Sequence, residues 1–442
     1  MKTILLAGGR SKRVKPVEDK CFVKICGKML IEWQIEALKK AGFTDLVIVG
    51  NHSNVERLRQ LKAGVVVEQE EKDGMIWGMM AAKEEVIDED SILVVSSNDV
   101  VEERLWENVK LKMKNEKEKD GFLVGYKVSR YFPGGYLEVS SDGCVKKIVE
   151  KPGEGNEPSD LVNLVIHFHR DVGGLYEALG TSPQPPPSAT ADRWQEGGQD
   201  DLYERALQKL FDQEKKYSVL SYDGFWQAIK YPWHLLRLAE FHLEKLSRNI
   251  SPDAEIAKTA VVNGNVVIES GVKILDHAVI NGPAYLGKGS IIGNHTLVRS
   301  SSLGERCVVG HATEVARSLL QDEVWMHKNY IGDSVIGSNV SFGSGTVTGN
   351  LRLDEGEISV GPPNPFERGD NARINSRRSK LGLITGDNIR VGINTSFMPG
   401  VKIGSNTMIA AALSIGEDVE EGKYVKAAGD VRVNVKLIAK RS

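Results

Sequence analysis

The chain has 442 residues, of which 41% are hydrophobic and 26% charged, with a net charge of −3. It is too long for one ordinary core, and its near-balanced charge argues against nucleic-acid or membrane-surface partners and for small molecules. Four scattered cysteines (Cys21, Cys26, Cys144, Cys307) lack the paired short spacing of zinc sites and read as free thiols in a reducing cytoplasm.

The opening apolar run is only about four residues long, too short for a signal peptide, and reads as a first β-strand from Thr3 to Ala7. Helical periodicity follows over Met29 to Ala41, Val55 to Ala63 and Met79 to Val86, alternating with strand-like runs at Asp45 to Gly50, Val65 to Glu70 and Ile92 to Ser96. This alternation predicts a mostly parallel sheet with helices on both faces. Phe122 to Val128, Tyr136 to Val139, Val145 to Val149 and Leu164 to His169 then read as an antiparallel extension. Thr181 to Gly198, rich in Pro, Ser and Gly, is expected to be an exposed loop, and Trp233 to Leu246 an amphipathic helix. From Ile256 a large aliphatic residue returns every sixth position through Val262, Ile268, Ile274, Ile280, Leu286, Ile292 and Val298, and the beat resumes from Val391 to Ile415. Neither the 3.6-residue helix nor the two-residue strand repeats on six, whereas a coil of three short strands with one inward side chain per face does. The expected organisation is therefore two domains, 1–249 and 250–442, the second a parallel β-helix. The beat slips to five between Val298 and Leu303 and between Ile331 and Ile336, and lapses over an insertion from Leu351 to Arg378. No run of about 18 apolar residues predicts a membrane span.

Strand 1 leads into Ala7, Gly8 and Gly9, followed by Arg10, Lys12, Arg13, Lys15 and Lys20. Adjacent glycines let backbone N–H groups approach an anion, and the cations supply charge for a triphosphate at the carboxyl end of a first strand, where α/β sheets bind ligands. Alone, a Gly-Gly turn after a strand is ordinary. With Lys20 placed before Gly27-Lys28-Met29-Leu30, however, the region resembles the sugar-1-phosphate nucleotidyltransferases, although Met29 stands where that family has Pro. The form AGGRSKR is also similar to molybdenum-cofactor guanylyltransferases. The resemblance implies a Rossmann-like nucleotidyltransferase domain with a mixed sheet. It makes Arg13 the triphosphate clamp, Lys20 the sugar-phosphate contact, Gln69 and Gly74 the base-reading segment and Asp99 the magnesium ligand. Gly135, Glu150 and Asn163 become sugar contacts. Two departures stand out: Ala228 in GFWQAIKYPW occupies the second metal-ligand position, and Met75 replaces the Thr of the base-reading segment. Asp223 reads as a turn residue before Gly224 that could substitute as a ligand.

The two halves together resemble the archaeal-type bifunctional enzymes that acetylate glucosamine 1-phosphate and then make UDP-N-acetylglucosamine. That resemblance implies a left-handed β-helix of hexapeptide repeats, a homotrimer with acetyl-CoA bound between neighbours, His327 as general base and Tyr330, Asn350 and Lys380 as acceptor contacts. Ala316 and Ser341 stand where the family has Lys and Asn. A single-activity thymidylyl- or uridylyltransferase with a structural β-helix, and a catalytically retired nucleotide-sugar scaffold, are the alternatives these departures leave open.

Overall fold

The computed structural model describes residues 1–70, 72, 74–180, 202–362 and 373–427, so the loop expected at Thr181 to Gly198 lies outside the described residues. Two compact units are present: Met1–Ser11 with Asp19–Phe22 and Met29–Lys230, and Lys12–Glu18 with Val23–Lys28 and everything from Tyr231 onward.

The chain opens with β1 (Lys2–Leu6), β2 (Lys24–Ile25), β3 (Lys28–Met29), α1 (Leu30–Lys40), β4 (Leu46–Gly50), α2 (Val55–Gln60) and β5 (Val65–Glu68). It continues through α3 (Met75–Val86), β6 (Ile92–Ser96), β7 (Asp99–Val101), α4 (Glu103–Asn115), β8 (Gly121–Lys127), β9 (Gly135–Val139), β10 (Val145–Glu150) and β11 (Leu161–His169). Then come α5 (Val172–Gly180), α6 (Leu202–Asp212), β12 (Tyr217–Tyr222), β13 (Trp226–Ala228) and α7 (His234–Glu244).

In the first unit the main sheet runs β10-β9-β11-β6-β1-β4-β5, with β8 and β12 branching from β11. The strands β6, β1, β4 and β5 are parallel, and β11 joins β6 antiparallel, so the mixed sheet follows from the expected extension. Period-two alternation sends Ile4, Val47 and Val94 into a core with α3, α5 and α6, and Leu5, Ile48 and Val95 into one with α1, α2 and α4. Both faces are thus buried, as parallel strands require. Helix α3 begins four residues before the expected Met79, directly after Gly74, whose φ of 114° ends the preceding extended segment. The chain passes from β1 to β4 and β5 on one side before returning to β6 on the other, so a topological switch point lies between β1 and β6.

In the second unit the six-residue beat deals its side chains in turn to three parallel sheets of 8, 9 and 8 strands among the described residues. Ile268, Leu286, Leu303, Leu320 and Ile336 line one face, Ile274, Ile292, Val309, Met326 and Phe342 the second, and Ile280, Val298, Val315, Ile331 and Phe397 the third; all are buried in one continuous core. Partners are 18 residues apart at Ile268↔Leu286, 17 at Leu286↔Leu303 and 16 at Val315↔Ile331 and Leu320↔Ile336. The shortening is therefore wider than two slips, since the step from Val315 to Leu320 and that from Met326 to Ile331 are also five. The insertion leaves the stack without breaking it: Val335 pairs directly with Ile384, while Ser359–Val360 and Ile374–Asn375 form an antiparallel pair of their own. The segment Val23–Lys28 is fastened to this unit by Lys24, whose Nζ lies 2.8 Å from Asp322 and whose backbone exchanges two hydrogen bonds with Gln321. All four cysteines are free thiols.

Two tests follow from this packing. Phe397→Ala empties a fully buried position of the ladder and is expected to cost about 3–5 kcal/mol, measured by urea denaturation of the β-helix signal. In the first unit, desolvation lowers the pKa of the buried His167 to about 3 and that of His169 well below its ordinary value. Free histidine titrates near 6.5, so between there and about 3 the unfolded chain binds more protons than the folded one, and stability is lost as the pH falls through that window. The urea midpoint is expected to be insensitive to these rings above about pH 7. Below about pH 6.5 stability should decline by up to about 1.4 kcal/mol per pH unit per ring, and His167→Gln should reduce that slope by about half.

Candidate active sites

The loop Ala7–Ser11 leaves β1 at the switch point. Asparagines of the Asn51–Asn54 turn hold its backbone: Asn54 Nδ2 donates to the Ala7 carbonyl at 3.0 Å and Asn51 Nδ2 to that of Gly8 at 3.1 Å. With the carbonyls engaged from behind, the loop is fixed in the manner that anion-binding turns need. Asn54 also donates to Asp19 Oδ2 at 3.0 Å, and Asp19 Oδ1 receives the Cys21 N–H at 2.9 Å, which anchors the turn carrying Lys20. Asn51, Asn54 and Asp19 were not apparent as site residues in the sequence, because asparagines and aspartates in a loop carry no spacing signal.

Gln69 lies over Gly8: a β-carbon there would overlap its Oε1, and one on Gly78 of α3 would come within 3.3 Å of the same oxygen. Only glycine admits the side chain expected to read the base. Lys20 is buried, with its Nζ 3.8 Å from the place a Gly9 β-carbon would occupy, and its charge acts on Asp99. Gly74 caps α3, five residues after Gln69. Arg13 is exposed in the 3₁₀ turn Lys12–Val14, a segment of the second unit.

Asp99 follows β6 at the start of β7 and pairs across a two-stranded ribbon with Ala228. Its Oδ1 accepts the Trp226 indole N–H at 2.8 Å. Desolvation raises its pKa, and the Trp226 and Val165 N–H groups, Lys230 and Lys20 act against that rise. Gly224 stands beside Glu102, at the far end of the ribbon from the Asp99–Ala228 pair, so Asp223 does not substitute as a ligand. No cluster of three or more metal-ligating side chains occurs among the described residues. One desolvated carboxylate beside two lysines fits a magnesium ion carried mainly by phosphate oxygens, with Asp99 its one protein carboxylate, and does not fit a preformed protein cage. Lys230 was missed in the sequence. Its Nζ donates to the Pro133 carbonyl and lies 4.1 Å from the centre of the Phe132 ring, joining Asp99 to the turn before Gly135. Gly135 pairs with Glu150, and a β-carbon on it would overlap that carboxylate. Asn163 lies one residue beyond the Val162↔Tyr136 pair, on the strand adjoining β9.

In the second unit Tyr330, Asn350 and Asp333 fold over Gly332. The Asn350 amide donates to the Tyr330 hydroxyl at 3.1 Å and to Asp333 Oδ2 at 2.5 Å, and Arg317 grips Asp333 with two bonds of 2.8 and 2.6 Å. Lys380 is exposed and pairs with Leu351, immediately after Asn350. Arg378 donates to the Lys380 carbonyl at 3.2 Å; burial lowers its pKa, opposed by the Asp333 and Glu240 charges and reinforced by Arg317. Arg317, Asp333 and Arg378 were missed, because 317 and 333 meet only through the 16-residue coil. They place two guanidinium groups beside Tyr330 and Asn350, although Ala316 removes the expected Lys. His327 is exposed at the preceding corner, its Nδ1 against Gly310 of the coil before, and its N–H bonds Asn329 Oδ1 at 2.5 Å. Asn329 in turn ties that corner to the carbonyls of Gly343 and Thr346.

Gly8→Ala should displace Gln69, whose flexible end is what the methyl meets, and raise the KM for the nucleoside triphosphate by about tenfold with the melting temperature nearly unchanged. Steady-state kinetics beside a thermal melt checks this; an unchanged KM would remove Gln69 from the nucleotide site.

A model of the MobA-like NTP transferase domain matches residues 3–105. The chain is 31% identical over 443 residues to a protein of Sulfurisphaera tokodaii named bifunctional sugar-1-phosphate nucleotidylyltransferase/acetyltransferase, covering 96% of this chain and 100% of that protein. It is 30% identical to the bifunctional protein GlmU of Methanocaldococcus jannaschii, over 96% of this chain and 97% of the relative, and 30% identical to that of Methanococcus maripaludis over the same shares. The chain therefore belongs to the family of the bifunctional, GlmU-type sugar-1-phosphate nucleotidylyltransferase/acetyltransferases.

Proposed function

We propose that the first unit condenses a nucleoside triphosphate with a sugar 1-phosphate to make a nucleotide sugar such as UDP-N-acetylglucosamine. We further propose that the second unit, a left-handed hexapeptide β-helix, transfers acetyl from acetyl-CoA to the amine of glucosamine 1-phosphate. The protein is an enzyme, a sugar-1-phosphate nucleotidyltransferase. The observation that carries the first reaction is the convergence of Gly9, Lys20 and Asp99 where β1 and β6 end.

A sugar phosphate oxygen attacks the α-phosphorus, a new P–O bond forms, the α–β bridge breaks and pyrophosphate leaves. Little covalent help is needed; the work is positioning and charge neutralisation. Gly8 and Gly9 present backbone N–H groups, the Ala7 N–H being donated to the Val49 carbonyl so that Ala7 serves only to end the strand at the nucleotide. Arg13 clamps the triphosphate, and Lys20 neutralises charge on the sugar phosphate, with Lys230 acting on the same Asp99. Gln69 and Gly74 hold the base, while Gly135, Glu150 and Asn163 hold the sugar. Magnesium, held by Asp99 and phosphate oxygens, supplies further neutralisation when bound.

In the second reaction His327 takes the proton from the attacking amine, nitrogen bonds to the acetyl carbon, and the coenzyme A thiolate leaves. Tyr330, Asn350 and Lys380, with Arg317 and Arg378 near them, suit a phosphate-bearing acceptor. Exposed Trp325, Met408 and Tyr424 along one outer face of the coil support self-association, which we take to be the homotrimer that the resemblance implies, in the cytoplasm.

With Mg²⁺, a panel of nucleoside triphosphates and sugar 1-phosphates should release pyrophosphate, and Asp99→Ala should lower kcat at least about 100-fold. No release from any pair would sink the reading. His327→Ala should abolish thiol release from acetyl-CoA and glucosamine 1-phosphate while leaving pyrophosphate release intact. A wild-type chain that frees no thiol would instead be a single-activity enzyme on a structural coil.

A further inference from the structure

Strand β11 carries a feature that neither reaction uses directly. Its pairing with β8 jumps from Leu164↔Val124 to His167↔Leu123, leaving Val165 and Ile166 in a bulge. In a regular strand residues four apart are about 13 Å from each other. The bulge instead brings His167 Nε2 to 3.0 Å from Asn163 Oδ1, and the same bulge directs the Val165 N–H toward Asp99. Bulges re-aim side chains in this way beside active sites.

Behind His167 the hydrogen bonds continue inward. Its Nδ1 lies 3.0 Å from the Tyr203 hydroxyl, that hydroxyl 3.2 Å from His169 Nε2, and His169 Nδ1 2.9 Å from the Tyr217 hydroxyl. His167, His169, Tyr203 and Tyr217 are all buried, and the Tyr203 ring stacks on that of His167 at 5.6 Å. Burial keeps both histidines neutral, so each has one donor and one acceptor nitrogen. Only one direction of the chain then satisfies every hydrogen. Tyr217 donates to His169, His169 to Tyr203, Tyr203 to His167, and His167 to the Asn163 amide oxygen. The reverse direction would leave the buried Tyr217 hydroxyl hydrogen without an acceptor among the described residues, a costly arrangement. The relay therefore fixes which way the Asn163 amide faces. Its oxygen is held inward, and its NH₂ group, which has no partner among the described residues, is accessible to solvent.

We propose that His167, backed by Tyr203, is a positioning residue that makes Asn163 a donor-only contact, selecting sugar 1-phosphates that present an acceptor oxygen there and rejecting those that present an ammonium. This rests on the assignment of Asn163 to the sugar in the nucleotidyl-transfer reading. An acetamido carbonyl or a hydroxyl oxygen can take the amide N–H; a protonated amine, which has only donors, cannot.

Pyrophosphate release by the full chain, compared on N-acetylglucosamine, glucose and glucosamine 1-phosphates, tests it. His167→Asn keeps a partner for Tyr203 but does not reach Asn163. It should raise the sugar-phosphate KM about five- to tenfold and shrink the preference for acceptor-bearing sugars by a similar factor, with the nucleotide KM changed by less than about twofold. His167→Gln restores a donor at the Nε2 position and should recover most of the loss, and Tyr203→Phe should show a smaller loss in the same direction. Asn163→Asp, acceptor-only, should turn the preference toward the ammonium-bearing sugar. Wild-type sugar KM and preference in His167→Asn would overturn the proposal, as would equal damage by His167→Asn and His167→Gln to every substrate. Asn163→Ala separates the levels. If it raises the sugar KM while His167→Asn does not, the relay alone fails; if it leaves the KM unchanged, the assignment of Asn163 fails and the relay with it. Absence of turnover on every sugar phosphate overturns both.

Discussion

One inward apolar side chain per face, every sixth residue, is the constraint under which the second unit is built. Each coil presents three such residues at matching heights, so the straight segments vary little: Ile274, Ile292, Val309 and Met326 simply succeed one another, and only Thr348 and Thr385 among the described ladder positions near the insertion are polar. Chemistry enters at the corners and at the outward-facing positions of the strands, such as Tyr330. At the corners the chain accepts a backbone that L-residues seldom adopt, with Arg317, Lys328 and Asp333 at φ of 48°, 51° and 49°. The shortening of coils from 18 to 16 residues brings the Arg317 and Asp333 corners into register, one turn apart. Scaffold and site are thus separated along the sequence, the beat belonging to one and its slips to the other.

The first unit solves the same problem differently. A parallel sheet buried on both faces leaves only its carboxyl edge open, so the residues that meet ligand come from short segments directly after β1 and β6 and from the antiparallel strands beside them. Each is held from the protein side: the Gly8 carbonyl by Asn51, Asp99 by Trp226, Asn163 by His167. A polar side chain with one end fixed has lost most of its rotational freedom before substrate arrives, and the entropy of orienting it is not charged against binding.

How far the sequence discloses this depends on whether a feature repeats along the chain or only in space. The ladder, the alternation of strand and helix and the glycine loop are periodic or local, and they were legible. The helix at Glu103–Asn115 carries a legible amphipathic pattern, with Leu105, Trp106 and Val109 buried, although it was not among the expected elements. The 16-residue registration that joins Arg317 to Asp333 and the two-residue bulge in β11 were not legible, because neither leaves a mark in residue type. Lys230 was hidden for a different reason: it lies two positions past the expected ligand, in a stretch where a lysine is ordinarily just solvated. Asn163 was recognised by resemblance, yet the orientation of its amide depends on Tyr203 and Tyr217, forty and more residues later in the chain.

In both units an alanine stands where the family resemblance calls for a polar or charged group, and a basic residue lies one or two places on: Lys230 after Ala228, Arg317 after Ala316. The two exchanges differ in electrostatic sign. At Ala316 a cation is replaced by a neighbouring cation whose charge is shared with Asp333, so the grip on a phosphate is redirected and partly neutralised. At Ala228 an oxygen ligand, Asp or Asn in the family, is absent, and the charges that act on Asp99 are those of Lys230 and Lys20, so the site is poorer in metal ligands and more positive than a two-ligand arrangement. A free divalent cation is attracted less strongly to such a site, whereas a triphosphate that brings its own cation is attracted more. Under the proposed assignment of Asp99 to magnesium, the ion would therefore be brought by the nucleotide instead of waiting in a preformed site.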